Sequence, residues 1–119
     1  MKTILVVDDE LGSAEVLSLI LAEEGYRTFG AVNGALALAQ ARDTVPDLVV
    51  VDYMMPLMNG AELARELRAD PAFAKTRIVL NSGLPEYAIR DQYDGYDAFL
   101  RKPFKIEALL SVVEELIGR

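Results

Sequence analysis

Cysteine and histidine are both absent from this 119-residue chain. Their absence excludes disulfides, thiolate nucleophiles, imidazole acid–base catalysis and the usual zinc sites. A chain without cysteine fits a cytoplasmic protein. Basic charge is scarce: 12 Lys and Arg stand against 19 Asp and Glu, for a net charge of -7. That balance argues against a general affinity for nucleic acid or an anionic membrane, and suits cation binding. Long hydrophobic runs are missing too. The opening apolar run meets acids at Asp8, too early for a secretory signal, and no stretch approaches the roughly 20 apolar residues of a spanning helix. Repeats, low-complexity tracts and linkers are absent, so a single domain over residues 1–119 is expected.

What is present is an alternation of short apolar runs with longer amphipathic ones. Thr3–Val7, Arg27–Ala31, Leu48–Val51, Arg77–Leu80 and Tyr96–Leu100 read as strands. Helices are expected over Leu11–Glu24, ending at Gly25, and over Gly34–Arg42, capped by Asn33. A third opens with a capping-box pattern at Asn59 and Glu62 and runs to about Arg68, where Asp70-Pro71 breaks it. A fourth starts near Pro85 and reaches about Tyr93; a fifth covers Ile106–Ile117. Apolar strands alternating with helices predict an α/β fold, a doubly wound five-stranded parallel sheet of order 2-1-3-4-5 with five helices. Ligands in such sheets gather beyond the carboxyl ends of the strands, at the switch point between strands 1 and 3.

Those ends carry the chemistry. Strand 1 ends in Asp8-Asp9, strand 3 in Asp52, strand 4 in Asn81-Ser82 and strand 5 in Arg101-Lys102-Pro103. Taken singly, an acidic pair is usually a turn or a helix N-terminal charge, Asp52 a helix-approach residue in a long loop, a Ser after a strand a turn residue and Lys-Pro a loop dipeptide; the four together at matching ends make a site. Clustered carboxylates either retain a proton or hold a cation. Oxygen ligands without His or Cys suit Mg²⁺, with Mn²⁺ possible. An aspartate can accept a phosphoryl group, Lys102 can offset charge on its oxygens, and Ser82 can donate to one of them.

Over its full length the chain resembles the receiver domain of two-component response regulators, the CheY-like fold. The residues that carry the resemblance are "VVDDE" at Val6–Glu10, "VVVDYMMPLMNG" around Asp52, "NSG" at Asn81–Gly83 and "FLRKPF" at Phe99–Phe104. It implies that Asp52 is the phosphoryl acceptor. Asp9, Asp52 and the backbone carbonyl of Met54 would ligate Mg²⁺ directly, with Asp8 acting through water. Lys102 would contact the phosphoryl oxygens, and its bond to Pro103 would be cis. Ser82 and Phe99 resemble the switch pair that repacks the face made by helix 4, strand 5 and helix 5. The implied donor is a histidine kinase or a histidine phosphotransfer protein, and the implied target is an output domain or partner protein bound through that face. No turnover enzyme, direct nucleic-acid contact or membrane contact is expected.

Several residues depart from the pattern. Phe99 lacks the hydroxyl of the tyrosine often found there. Met54 and Leu84 are apolar where polar residues can orient water, which predicts a long-lived phosphorylated form. Lys105 replaces a capping residue at the start of helix 5. Three competing functions fit less well. An aspartate-nucleophile phosphohydrolase of the haloacid dehalogenase type needs a second Asp where Met54 stands. A flavodoxin-type binder needs a phosphate cradle where "DDELGS" is acidic. A scaffold working without phosphorylation would lack one of the acceptor, metal ligands or lysine. Nothing follows helix 5, so the chain is read either as free-standing or as a piece of a longer protein.

Overall fold

The computed structural model describes the backbone of residues 1–119 and every side chain except that of Leu11. Five parallel strands form one sheet: β1 (Thr3–Val7), β2 (Arg27–Ala31), β3 (Leu48–Asp52), β4 (Arg77–Ser82) and β5 (Ala98–Arg101). Their spatial order is β2-β1-β3-β4-β5, the expected doubly wound topology. The helices are α1 (Leu11–Glu23), α2 (Gly34–Thr44), α3 (Gly60–Ala69), α4 (Glu86–Arg90) and α5 (Ile106–Ile117).

Alternation along each strand builds two separate cores. Leu5, Val7, Val49, Val51, Ile78 and Leu80 face α2, α3 and α4, together with Leu63, Leu67 and Ile89. Ile4, Val6, Leu48, Val50, Val79 and Leu100 face α1 and α5, with Leu21, Leu109 and Val113. The central strand β3 is buried throughout, as a strand covered on both faces must be.

Local signals act where expected. The Asn59 side chain accepts the Glu62 N–H at 2.8 Å, and the Glu62 carboxylate accepts the Asn59 N–H at 3.0 Å. Gly25, at φ 98°, closes α1 in the left-handed region. Lys105 gives α5 no side-chain cap.

Two elements differ from expectation. α4 ends at Arg90, and past it the Ile89 carbonyl accepts both the Gln92 N–H at 2.9 Å, a tighter turn than an α-helix makes, and the Tyr93 N–H at 3.1 Å. β5 starts at Ala98 rather than Tyr96: pairing with β4 begins at Val79 and Ala98, and before it the Asp97 side chain accepts the Ile78 N–H at 2.7 Å.

Gly60 is required by close approach. A Cβ there would lie 2.7 Å from the Asp52 carbonyl oxygen and 2.9 Å from the Tyr53 Cα. Both neighbours are backbone and neither can swing aside. Gly60→Ala gains about 1 kcal/mol of helix propensity but costs about 1–3 kcal/mol in forced displacement. A net loss is expected as a lower urea midpoint. Gly34→Ala, whose clash is with the flexible Met58 side chain, is the milder control.

Candidate functional site

The face of the sheet decides which strand-end side chains can meet. Val6, Val50 and Leu100 belong to the α1/α5 core. Two residues further along each strand, Asp8, Asp52 and Lys102 therefore project to that same side, just past the last core layer. Asp8 and Asp52 are buried at 4% and 6% exposure, while Asp9 is exposed. One carboxylate oxygen from each of Asp8, Asp9 and Asp52 lies within 4.8 Å of the others. The Lys102 ammonium reaches into the group, 3.3 Å from Asp52 Oδ1 and 3.6 Å from Asp8 Oδ2.

Burial pushes the Asp52 carboxyl above its ordinary range. Lys102 pulls it back, Asp8 adds to the rise, and hydrogen bonds from Lys102 and the Met54 N–H favour the ionised form.

The donor set fits a small hard cation. Octahedral Mg²⁺ holds oxygens at about 2.1 Å, which puts opposite ligands about 4.2 Å apart. The three carboxylates need only a slight contraction, or one bridging water, to meet that. With no Cys or His in the chain, no thiolate or imidazole competes for such an ion.

Ser82 and Phe99 occupy the opposite face, with the α2–α4 core. Ser82 follows Leu80 by two residues and is fully buried; Phe99 is half-buried against the same core. The Ser82 Oγ accepts the Leu84 N–H at 3.0 Å, which leaves its own proton free to donate. The Phe99 ring lies 6.2 Å from that of Tyr96, tilted by 48°. The Lys102–Pro103 bond is cis, as the resemblance implied. Thus Asp8, Asp9, Asp52 and Lys102 are brought together directly, whereas Ser82 and Phe99 form a second group behind them.

A family model for the response regulator receiver domain matches residues 4–114. The chain belongs to that family. The DNA-binding response regulator MtrA of Mycolicibacterium paratuberculosis is 35% identical over 118 residues, covering 99% of this chain and 52% of its own length. The DNA-binding dual master transcriptional regulator RpaA of Synechocystis is 32% identical over 123 residues, 50% of its length. The receiver domain thus spans about half the length of the curated relatives it matches. Among solved structures, TrrA of Thermotoga maritima in complex with Mg²⁺-BeF superposes with a TM-score of 0.87 at 35% identity, covering 98% of this chain and 99% of that one. The chemotaxis protein CheY4 of Vibrio cholerae gives 0.88 at 30% identity, with 98% of both chains covered. Receiver domains are signalling modules of two-component systems rather than turnover enzymes, and they bind Mg²⁺ through an acidic cluster. No helix among the described residues is long and apolar enough to cross a membrane.

Two features escaped the sequence reading. Glu86 binds both Arg90 and the Tyr96 hydroxyl, tying α4 to the segment before β5. The Glu86/Arg90 spacing signals that ion pair, but nothing local announces Tyr96. Asn81 is buried beside the site, although an amide in place of an aliphatic residue at a strand's core position is a signal in itself.

Proposed function

We propose that this receiver domain accepts a phosphoryl group on Asp52 and uses the change of charge to repack the face made by α4, β5 and α5. The observation that carries the reading is the Lys102 ammonium shared between Asp52 and Asp8, within a three-carboxylate cluster at the strand ends.

Asp52 is the nucleophile. A carboxylate oxygen attacks phosphorus, an O–P bond forms, and the bond from phosphorus to the donor breaks. The electron pair leaves with the imidazole of a histidine kinase or phosphotransfer protein, or with acetate when acetyl phosphate is the donor. Asp9, Asp52 and the carbonyl of Met54 would hold Mg²⁺ directly and Asp8 through water; the chemistry it supplies is neutralisation of the phosphoryl oxygens. Lys102 orients and balances the same oxygens from the other side. Ser82 donates its free proton to one of them, giving up its bond from Leu84, and Phe99 moves into the space vacated. An output domain or partner protein reads the altered face, as a local charge change biases a two-state element. With a net charge of -7 the domain itself contacts neither nucleic acid nor membrane.

The test is labelling with acetyl phosphate and Mg²⁺. Acid-stable, base-labile phosphate should appear on wild type and not on Asp52→Asn. Equal labelling of both, or of neither, rejects the reading.

Met54 and Leu84 are 60% and 40% exposed. Neither side chain can orient an attacking water. A long-lived phosphorylated form follows. Replacing both with polar residues should speed phosphate release by about 10-fold or more, the low end for positioning a water. An unchanged time course would count against it.

A further inference from the structure

Asn81 stands in the crevice yet takes no part in the chemistry above. It is 2% exposed, and its Oδ1 is buried without a hydrogen-bond partner. A fold rarely leaves a buried acceptor unpaired, because an aliphatic side chain of similar size avoids the loss.

Register places Asn81 between the site's two halves. It pairs with Asp52 on one side and Leu100 on the other. It follows Val79 by two residues, and Val79 lies in the α1/α5 core, so Asn81 projects to the face that carries Asp8, Asp52 and Lys102. Lys102 starts at the end of β5, and its ammonium reaches Asp52 on β3 and the Asp8 position beyond β1. To do so its side chain must cross the end of β4, where Asn81 stands. The ammonium has three N–H donors and faces two carboxylates. Contacts of 3.3 and 3.6 Å are looser than the roughly 2.8 Å of a firm charged hydrogen bond.

We infer that Asn81 is a positioning residue for Lys102, its Oδ1 receiving an ammonium N–H when the lysine turns from the carboxylates to the phosphoryl group. This rests on the reading of Asp52 as the acceptor. A neutral amide suits the task. A carboxylate at this position would compete for the lysine and add to the local negative charge. An aliphatic residue would leave the ammonium untethered as it turns.

Asn81→Leu removes the acceptor at nearly constant volume, and Asn81→Val serves if leucine disturbs folding. The expected result is a melting temperature equal to or above that of wild type. The rate constant for Asp52 labelling by acetyl phosphate at saturating Mg²⁺ should fall about tenfold, as for loss of one charge-assisted hydrogen bond. The half-saturating acetyl phosphate concentration should barely move. In a Lys102→Ala background the same change should have no further effect. Independently of turnover, the Lys102 ¹⁵Nζ–H resonance of the Mg²⁺–beryllofluoride-loaded protein should be protected in wild type and lost in Asn81→Leu. A wild-type labelling rate in Asn81→Leu, or a full effect that persists without Lys102, overturns the role of Asn81. Absence of label on wild type overturns the reading of Asp52 instead.

Discussion

Asp52→Asn is expected to lose all base-labile phosphate and yet to melt at a higher temperature than wild type, at pH 7 in metal-free buffer. The first effect follows from chemistry, since an amide is no nucleophile towards phosphorus. The second follows from burial. Burial, reinforced by Asp8, raises the Asp52 carboxyl above its ordinary value of 3.8 despite Lys102. A carboxyl whose folded pKa is raised favours the folded state while it is protonated. Its contribution is fully present below the unfolded value and is lost as pH rises through the folded one. At pH 7 wild type therefore carries an ionised group that folding disfavours, and asparagine removes it. The gain is read as a higher melting temperature of the variant. The gap should close at pH values below the ordinary carboxyl value of 3.8 and open as pH rises above it, which melting curves across acidic to neutral pH would show. Mg²⁺ should narrow the gap and near saturation reverse it: at about 100 times its dissociation constant it adds roughly 2.7 kcal/mol to the form that binds it, and the variant has lost one carboxylate ligand. A variant less stable than wild type at every pH would mean that the Lys102 pair outweighs the cost of burial.

The same tension explains what could be read before the structure was known. Leu48–Val51 is apolar because both faces of β3 are covered, so its strand character and central place were visible in composition alone. Asp52 stood out because a carboxylate has no reason to end such a run unless something meets it. The end of β5 was legible differently: Lys102-Pro103 reads alone as a loop dipeptide, and only its place at a strand end matching those of Asp8 and Asp52 marked the lysine. Asn81 was harder. Polar residues are common where strands end, and only the register shows that β4 continues through Asn81 to Ser82 and buries both. The short α4 was missed because its end lies in a tight turn, the Gln92 N–H returning to the Ile89 carbonyl, that no proline or glycine in the helix announces. Gly60 was legible as half of an Asn-Gly helix start, but not as the point where α3 presses on the Asp52 carbonyl. Local propensity announces elements; the cost of a residue out of place announces sites, provided its burial can be inferred.

Lys102→Ala separates the two roles of the lysine. In metal-free buffer its removal leaves Asp8 and Asp52, with side chains 5% and 9% exposed, facing each other without a cation. Breaking a fully buried pair costs about 3–5 kcal/mol. The Lys102 side chain is 37% exposed, so water already screens part of its attraction, and a loss of about 1–2 kcal/mol is the better expectation. Saturating Mg²⁺ should restore most of that stability, because the ion replaces the missing positive charge among the same carboxylates. It should not restore reactivity. The Lys102 side chain enters from β5 and bridges Asp52 and Asp8, whereas Asp9 lies further off, beyond the end of β1. An ion held by Asp8 and Asp9 leaves the phosphoryl oxygens on the β5 side unbalanced. Loss of one preorganised donor to a transition-state oxygen costs about 10²–10³ in rate. Labelling by acetyl phosphate at saturating Mg²⁺ should fall by that factor while the melting temperature returns close to that of wild type. Recovery of both would reduce Lys102 to a counter-ion. Recovery of neither would place its main role in holding the strand ends together.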